Sequence, residues 1–125
     1  MNNYLISNKS VVADINKYAS KYMRLNFSIY EYNGKELILV GLEDETSYIQ
    51  IEIIFEDLFF ISAFFSWHTN PREDIIVIPE DNEIIKLNKQ FEIEAEYQLF
   101  RLIPEGHDNM FYVAAKSIDY EIGNQ

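Results

Sequence analysis

His68 and His107 are the only side chains in this chain that ordinarily titrate near neutral pH, so their chemistry is weighed first. Trp67, Thr69 and Asn70 flank the first; Glu105 and Asp108 flank the second. Two imidazoles and a carboxylate brought together would suit zinc or a similar ion. No HxH or HxxxH spacing joins them, so the expectation is two separate loop histidines, no metal and no cofactor. Cysteine is absent, which excludes a thiolate zinc site, a cysteine nucleophile and a disulfide framework. Gly34, Gly41, Gly106 and Gly123 are too scattered for a phosphate-cradling loop. Ser62 and Ser66 have no GxSxG context, and Glu43-Asp44-Glu45 lacks the glycine and spacing of a calcium loop. The expectation is that the protein is not an enzyme.

Carboxylates are abundant, so their arrangement matters more than their presence. Glu92, Glu94 and Glu96 recur at every second position, and Glu52 sits in a similar alternation on another predicted strand. A general acid–base pair needs two carboxyl groups in different environments, and three equivalent solvated glutamates do not supply that. The row is therefore read as a solvated face, or as a recognition surface for a basic partner. Trp67, the sole tryptophan, stands beside Phe64 and Phe65. It is read either as a core plug at the end of a sheet or as a rim anchor in a binding surface, where Trp concentrates binding energy. The candidate partner-binding residues are thus Glu92, Glu94, Glu96, Glu52 and Trp67.

The elements that must position these residues follow from periodicity. Apolar residues at Val11, Val12, Ile15, Tyr18, Ala19 and Tyr22 form a helical stripe, with Asn8 or Ser10 as the N-cap and a helix over about 9–23. From Leu25 the period becomes two. Leu25, Phe27 and Ile29 lead to Asn33-Gly34, whose pairing predicts a type I′ hairpin turn. Residues 35–42 and 58–67 are apolar on both faces and read as central or covered strands, with a reversal at Glu56-Asp57 between the second of these and the alternating 47–55 segment. Residues 67–74 read as a loop broken by Pro71, and 75–78 as a short strand stopped by Pro79. Glu83–Asn88 is either a strand or a helical turn. Residues 90–99 alternate most regularly, with Phe91, Ile93, Ala95, Tyr97 and Leu99 opposite the glutamates, and 110–120 is the last strand. Short connections favour antiparallel order. The predicted fold class is α+β, predominantly antiparallel β: an N-terminal helix on a bent sheet or two-sheet β-sandwich of six to eight strands, in one domain over 1–125 with its β-rich part at about 25–122.

Charge and length bound the function. The chain has 125 residues, enough for one domain, and its 48% apolar content exceeds what a disordered acidic tail would hold. Its net charge of −11 argues against nucleic-acid binding, which needs clustered Lys and Arg. The charge is uneven: Lys9, Lys17, Lys21 and Arg24 against Asp14 make residues 1–24 about +3, and residues 25–125 are about −14. The N-terminal segment lacks the basic start and apolar stretch of a secretory signal. The longest apolar run, LFFISAFF at 58–65, is too short to span a bilayer. A cytoplasmic protein with no membrane association is expected.

The segments EYNGKELILV (31–40), SYIQIEIIFEDLFFISAFF (47–65) and MFYVAAKSIDYEI (110–122) are short, aromatic-rich strands in a small acidic chain. Together they resemble the small acidic immunity proteins of bacterial polymorphic and contact-dependent toxin systems. The resemblance implies a protein that plugs or covers a toxin domain, often one with a basic cleft, and it carries over no site residue. Charge complementarity would speed and tighten that encounter. The leading expectation is a non-enzymatic protein-binding module with an acidic surface and a basic protein partner. The alternative is a β-rich small-molecule or carbohydrate-binding domain with Trp67 and tyrosines lining a deep apolar cavity. A homo-oligomer fits either reading.

Overall fold

A computed structural model describes residues 3–43, 48–106 and 111–123. Most of the expected turn at 43–46, half of the turn at 104–109 and His107 therefore lie outside the described residues. The elements are α1 (Asn3–Ala19), β1 (Leu25–Tyr32), β2 (Glu36–Leu42), β3 (Ile49–Ser62), β4 (Ser66–Thr69), β5 (Ile76–Val77), α2 (Asp81–Gln90), β6 (Gln98–Leu102) and β7 (Phe111–Ile122). The seven strands form a single sheet in the order β4-β1-β2-β3-β7-β6-β5, antiparallel at every step. The sheet curls into a half-barrel, and of the two expected architectures the bent sheet is the one adopted.

The concave face holds the main core. Phe27, Leu39, Ile51, Ile53, Phe55, Phe100 and Val113 are almost fully buried there, under Val12, Ile15 and Ala19 of α1. The outer face is covered only at one end. There Leu87 of α2 and Ile93 pack on Leu99, Tyr112 and Ala114. Gly41 passes so close under Phe27 that a Cβ would lie 2.8 Å from its ring, so the sheet and the ring occupy space a larger residue would need.

α1 begins earlier than its sequence stripe indicates, and Asn8 is no N-cap. Asn8 sits in mid-helix at 1% exposure. Its Nδ2 donates to Lys116 O at 3.2 Å and its Oδ1 accepts from Ile118 N at 3.2 Å. β6 pairs with β7 only as far as Ala115, so the backbone edge beyond lacks a strand neighbour and Asn8 takes that role. Asn16 does the same for the sheet edge at β5. Its Nδ2 donates to Ile76 O at 2.8 Å, and its Oδ1 accepts from Ile75 N at 2.8 Å and Ile76 N at 3.3 Å.

Three expected turns take other forms. At 33–36 only Gly34 is left-handed, with φ 92°, so the turn is not type I′. Asn33 Oδ1 instead accepts from Lys35 N and Glu36 N at 3.0 and 2.8 Å, a side-chain mimic of a backbone turn. At Glu56-Asp57 the chain does not reverse. Asp57 adopts φ 54°, a bulge follows between Leu58 and Phe60, and β3 runs on for 14 residues because β7 pairs with both of its halves. The left-handed residue and the bulge together move the inward positions from Ile53 and Phe55 to Leu58 and Ile61 and help to curl the sheet. The 67–74 segment is not all loop: Ser66–Thr69 pairs with β1 as an edge strand, and Thr69 Oγ1 donates to Leu25 O at 2.6 Å.

The largest departure is at 81–97. Glu83–Asn88 belongs to α2, with Asp81 and Glu83 in its first turn and Lys89 in its last, as the helix dipole favours. The expected strand over 90–99 is absent before Gln98. α2 instead closes through Phe91 N to Leu87 O (2.9 Å) and Ile93 N to Asn88 O (2.9 Å), with Glu92 left-handed at φ 54°. This is a Schellman closure with glutamate where glycine is usual. The alternation of Phe91, Ile93 and Leu99 is real, but the apolar side chains are buried by a helix cap and a turn rather than by one pleated strand. Glu92→Gly should relieve the left-handed strain and raise stability by about 0.5–1 kcal/mol. Thermal unfolding checks this, and a lower midpoint would contradict the capping role.

Candidate functional site

The five sequence candidates do not form one site. Trp67 is 6% exposed, with its indole stacked on Phe27 (centroids 6.2 Å, 22°) and edge-on to Phe111 (5.6 Å, 90°). It is a core plug and offers a partner almost no surface. The space beside it, between Phe27, Leu39 and Leu102, amounts to about 10 Å³, far too little for a ligand. The expected cavity lined by Trp67 is therefore not found among the described residues. His68 is exposed on the outer face, its Nδ1 bonded to Asn26 Oδ1. No group of three or more metal-ligating side chains gathers among the described residues.

Glu92, Glu94 and Glu96 are not one strand face. Glu92 caps α2, whereas Glu94 and Glu96 share a hydrogen bond in the following turn. The bond to Glu96 and its like charge raise Glu94 above the usual carboxylate range. The same bond, with Lys116 Nζ at 3.3 Å, lowers Glu96. The two are thus inequivalent, contrary to the sequence reading. Both are exposed.

Glu52 leads to a different surface. It lies directly opposite Glu121 across the β3–β7 ladder, and burial followed by the Glu121 charge raises its carboxyl above the usual range. The strand registers add Glu36 opposite Glu56 and Asp119 opposite Ile54 on the same outer face, with Glu31 opposite Ile38. Ile38, Val40 and Ile54 lie in the middle of these carboxylates. β1, β2 and β3 contain no Lys or Arg at all, so nothing on those strands neutralises the face. Lys9 and Lys17, by contrast, belong to the helix on the concave side.

The stacked Glu52–Glu121 pair carries a pH signature. A carboxyl raised in the folded state gives stability that is complete below its unfolded pKa and lost as pH rises through its folded pKa. Glu52→Gln should therefore stabilise the protein at pH 7 by about 0.2–1 kcal/mol, the scale of a cross-strand charge pair. The gain should shrink as pH falls toward 4. Thermal unfolding at the two pH values checks it, and a variant less stable at pH 7 would show that Glu121 does not repel Glu52.

A second feature is a groove of about 1100 Å³ on the opposite side of the molecule. Its walls are the outward flank of α1 and the segment 71–81 around β5, and it is closed at one end by the 95–98 turn and Lys116. Nothing in the sequence pattern announces it, because its walls come from four separated segments. Behind α2, the Tyr112 hydroxyl donates to Glu83, and burial, with that bond, pushes the phenol up to about 12. This contact ties α2 to β7 and keeps the groove's α2 wall in place. No helix among the described residues is long and apolar enough to cross a membrane. No family model, no curated protein and no solved structure matches the chain.

Proposed function

We propose that this chain is a non-enzymatic, cytoplasmic protein-binding module that receives a basic protein on the outer face of its sheet, in the manner of a toxin-neutralising immunity protein. The observation that carries the reading is Glu52 facing Glu121 amid four further carboxylates on strands largely free of cations. Like charges directly across a ladder destabilise the free sheet. A cationic surface laid over them removes that repulsion and gains charge-assisted hydrogen bonds, while Ile38 and Ile54 supply apolar contact at the centre. Stability given up in the free protein is then recovered in the complex.

The test is co-expression with the product of the adjacent gene. A basic, growth-arresting neighbour should be neutralised by the wild-type chain. The triple variant Glu52→Lys, Asp119→Lys, Glu121→Lys should lose that protection while keeping its circular-dichroism spectrum, because Asp119 and Glu121 are exposed and the half-buried Glu52 lies on the outer face, where a lysine can reach water along its stem. Binding should also weaken with added salt. Protection that survives the triple reversal, or a toxic basic neighbour left unaffected by the wild type, would overturn the reading.

A further inference from the structure

We infer that the groove between α1 and the 71–81 segment is a separate binding site, for an extended peptide segment whose acidic and basic residues alternate. Size is the first reason. About 1100 Å³ exceeds the usual range for drug-sized ligands of about 300–1,000 Å³. The α1 wall runs from Lys9 to Ser20, about 17 Å of helix, which is the length of about five extended residues.

Charge is the second. Lys9 and Lys17 stand on the α1 wall, and Glu73, Asp74, Glu80 and Asp81 stand on the other, with Arg72 the one cation among them. Among the described residues neither lysine pairs with any of the four carboxylates: the ion pairs found are Arg101–Glu83 and Lys116–Glu96. The groove therefore presents a cationic rim and a predominantly anionic rim, four carboxylates against Arg72, and the two rims do not neutralise each other. An extended chain projects successive side chains to opposite sides. With Glu and Lys in alternation it aims every Glu at α1 and every Lys at the loop. The spacing agrees: Lys9 and Lys17 are about 12 Å apart along the helix, and Glu residues four positions apart in an extended chain are separated by about 13 Å.

A polar group without a partner is the third. Asn88 Oδ1, on a residue lining the groove, is buried and has no hydrogen-bond partner. Rotation of the Asn88 side chain toward the groove would let this acceptor take a ligand N–H, and a peptide main chain carries one at nearly every residue. The floor between the rims includes Val12, Ile76 and Ile84, which suits the stems of long side chains.

Nuclear magnetic resonance titration of the whole chain decides the matter, with three capped hexapeptides as probes: EKEKEK, EEEKKK and SASASA. The first two have equal composition and net charge and differ only in which side their charges take. EKEKEK should shift the amide resonances of Lys9, Lys17, Ile76 and Asn88, and bind at least tenfold more tightly than EEEKKK, with SASASA weaker still. Lys17→Glu, at an exposed position, should cost at least tenfold for EKEKEK and lower the unfolding midpoint only by the small loss of a last-turn charge, with Lys17→Gln giving the same ranking of the peptides. Equal affinity for the two charged peptides, or no shift at the groove with any of them, would overturn the proposal. Shifts confined to the outer face around Glu52 would overturn it too, and would leave the basic-partner reading intact.

Discussion

Trp67→Ala should cost about 3–5 kcal/mol, the largest single-residue loss expected in this chain. The indole is all but buried, stacks on Phe27 and meets Phe111 edge-on, so truncation removes contacts on two sides at once. The site cannot collapse easily. Phe27 is pinned above Gly41, and β4 is held to β1 by backbone pairing of Leu25 with Thr69 through to Ser28 with Ser66. A domain of this size typically has about 5–15 kcal/mol of net stability, so the variant should retain a small fraction of its margin. Trp67→Phe should recover roughly half of the loss, because a ring remains against Phe27. Urea unfolding of the three proteins checks both statements. A rim anchor would behave differently: its truncation would leave unfolding almost unchanged and abolish partner binding. A loss below about 1 kcal/mol would restore that reading.

The second large effect should come from a residue whose chemistry looks unremarkable in the sequence. Asn8→Ala removes the side chain that satisfies Lys116 O and Ile118 N, inside a packed interface between α1 and β7. A buried backbone group left without its partner costs about 1–3 kcal/mol, and two are exposed to that loss here, so about 2–4 kcal/mol is expected. Asn8→Leu should be no better despite its apolar bulk, because burial is not what the site lacks. Asn8→Asp keeps an acceptor for Ile118 N but sets a carboxylate against Lys116 O, and it should fall below wild type as well. Asn16→Ala should cost less, since Asn16 is only partly buried and water can replace some of its bonds to Ile75 and Ile76. Hydrogen exchange at Ile118 would report the local opening directly. Unchanged protection there in Asn8→Ala would show that the amide bond does not hold the helix to the strand.

These two residues show where sequence reading stops. The helical stripe of Val12, Ile15 and Ala19 was legible, since period 3.6 survives in any environment. So were the strand character of β1, β2, β5 and β7, the antiparallel order, and the apolar runs that β2 and the second half of β3 carry. Period-two alternation at 91–99 misled, because a helix cap and a turn can bury alternate side chains as a strand does. Its correct assignment depended on Ile93 N reaching Asn88 O and on Ile93 finding Leu99 and Ala114 across the outer face. The Asn8 N-cap failed for a related reason: asparagine is suited both to a cap and to a strand edge, and only the end of β6 decides between them.

The acidic character was a property of composition, and −11 fell unevenly between an N-terminal helix and the rest in the bare sequence. The tertiary structure relocated it. The glutamates at 92, 94 and 96 are divided between a cap and a turn, whereas Glu52, Glu121 and Asp119 converge on one face from residues nearly seventy positions apart. That convergence follows from the β3–β7 register, which hydrogen bonding sets and a single-residue slip would invert. The groove follows from the same long-range pairing, which brings β5 and α2 round to face α1. Local periodicity determined which segments are helix and strand and which side chains seek the core. Which charges stand together, and on which side of the molecule, was decided by contacts between distant segments, whose partners no local pattern specifies.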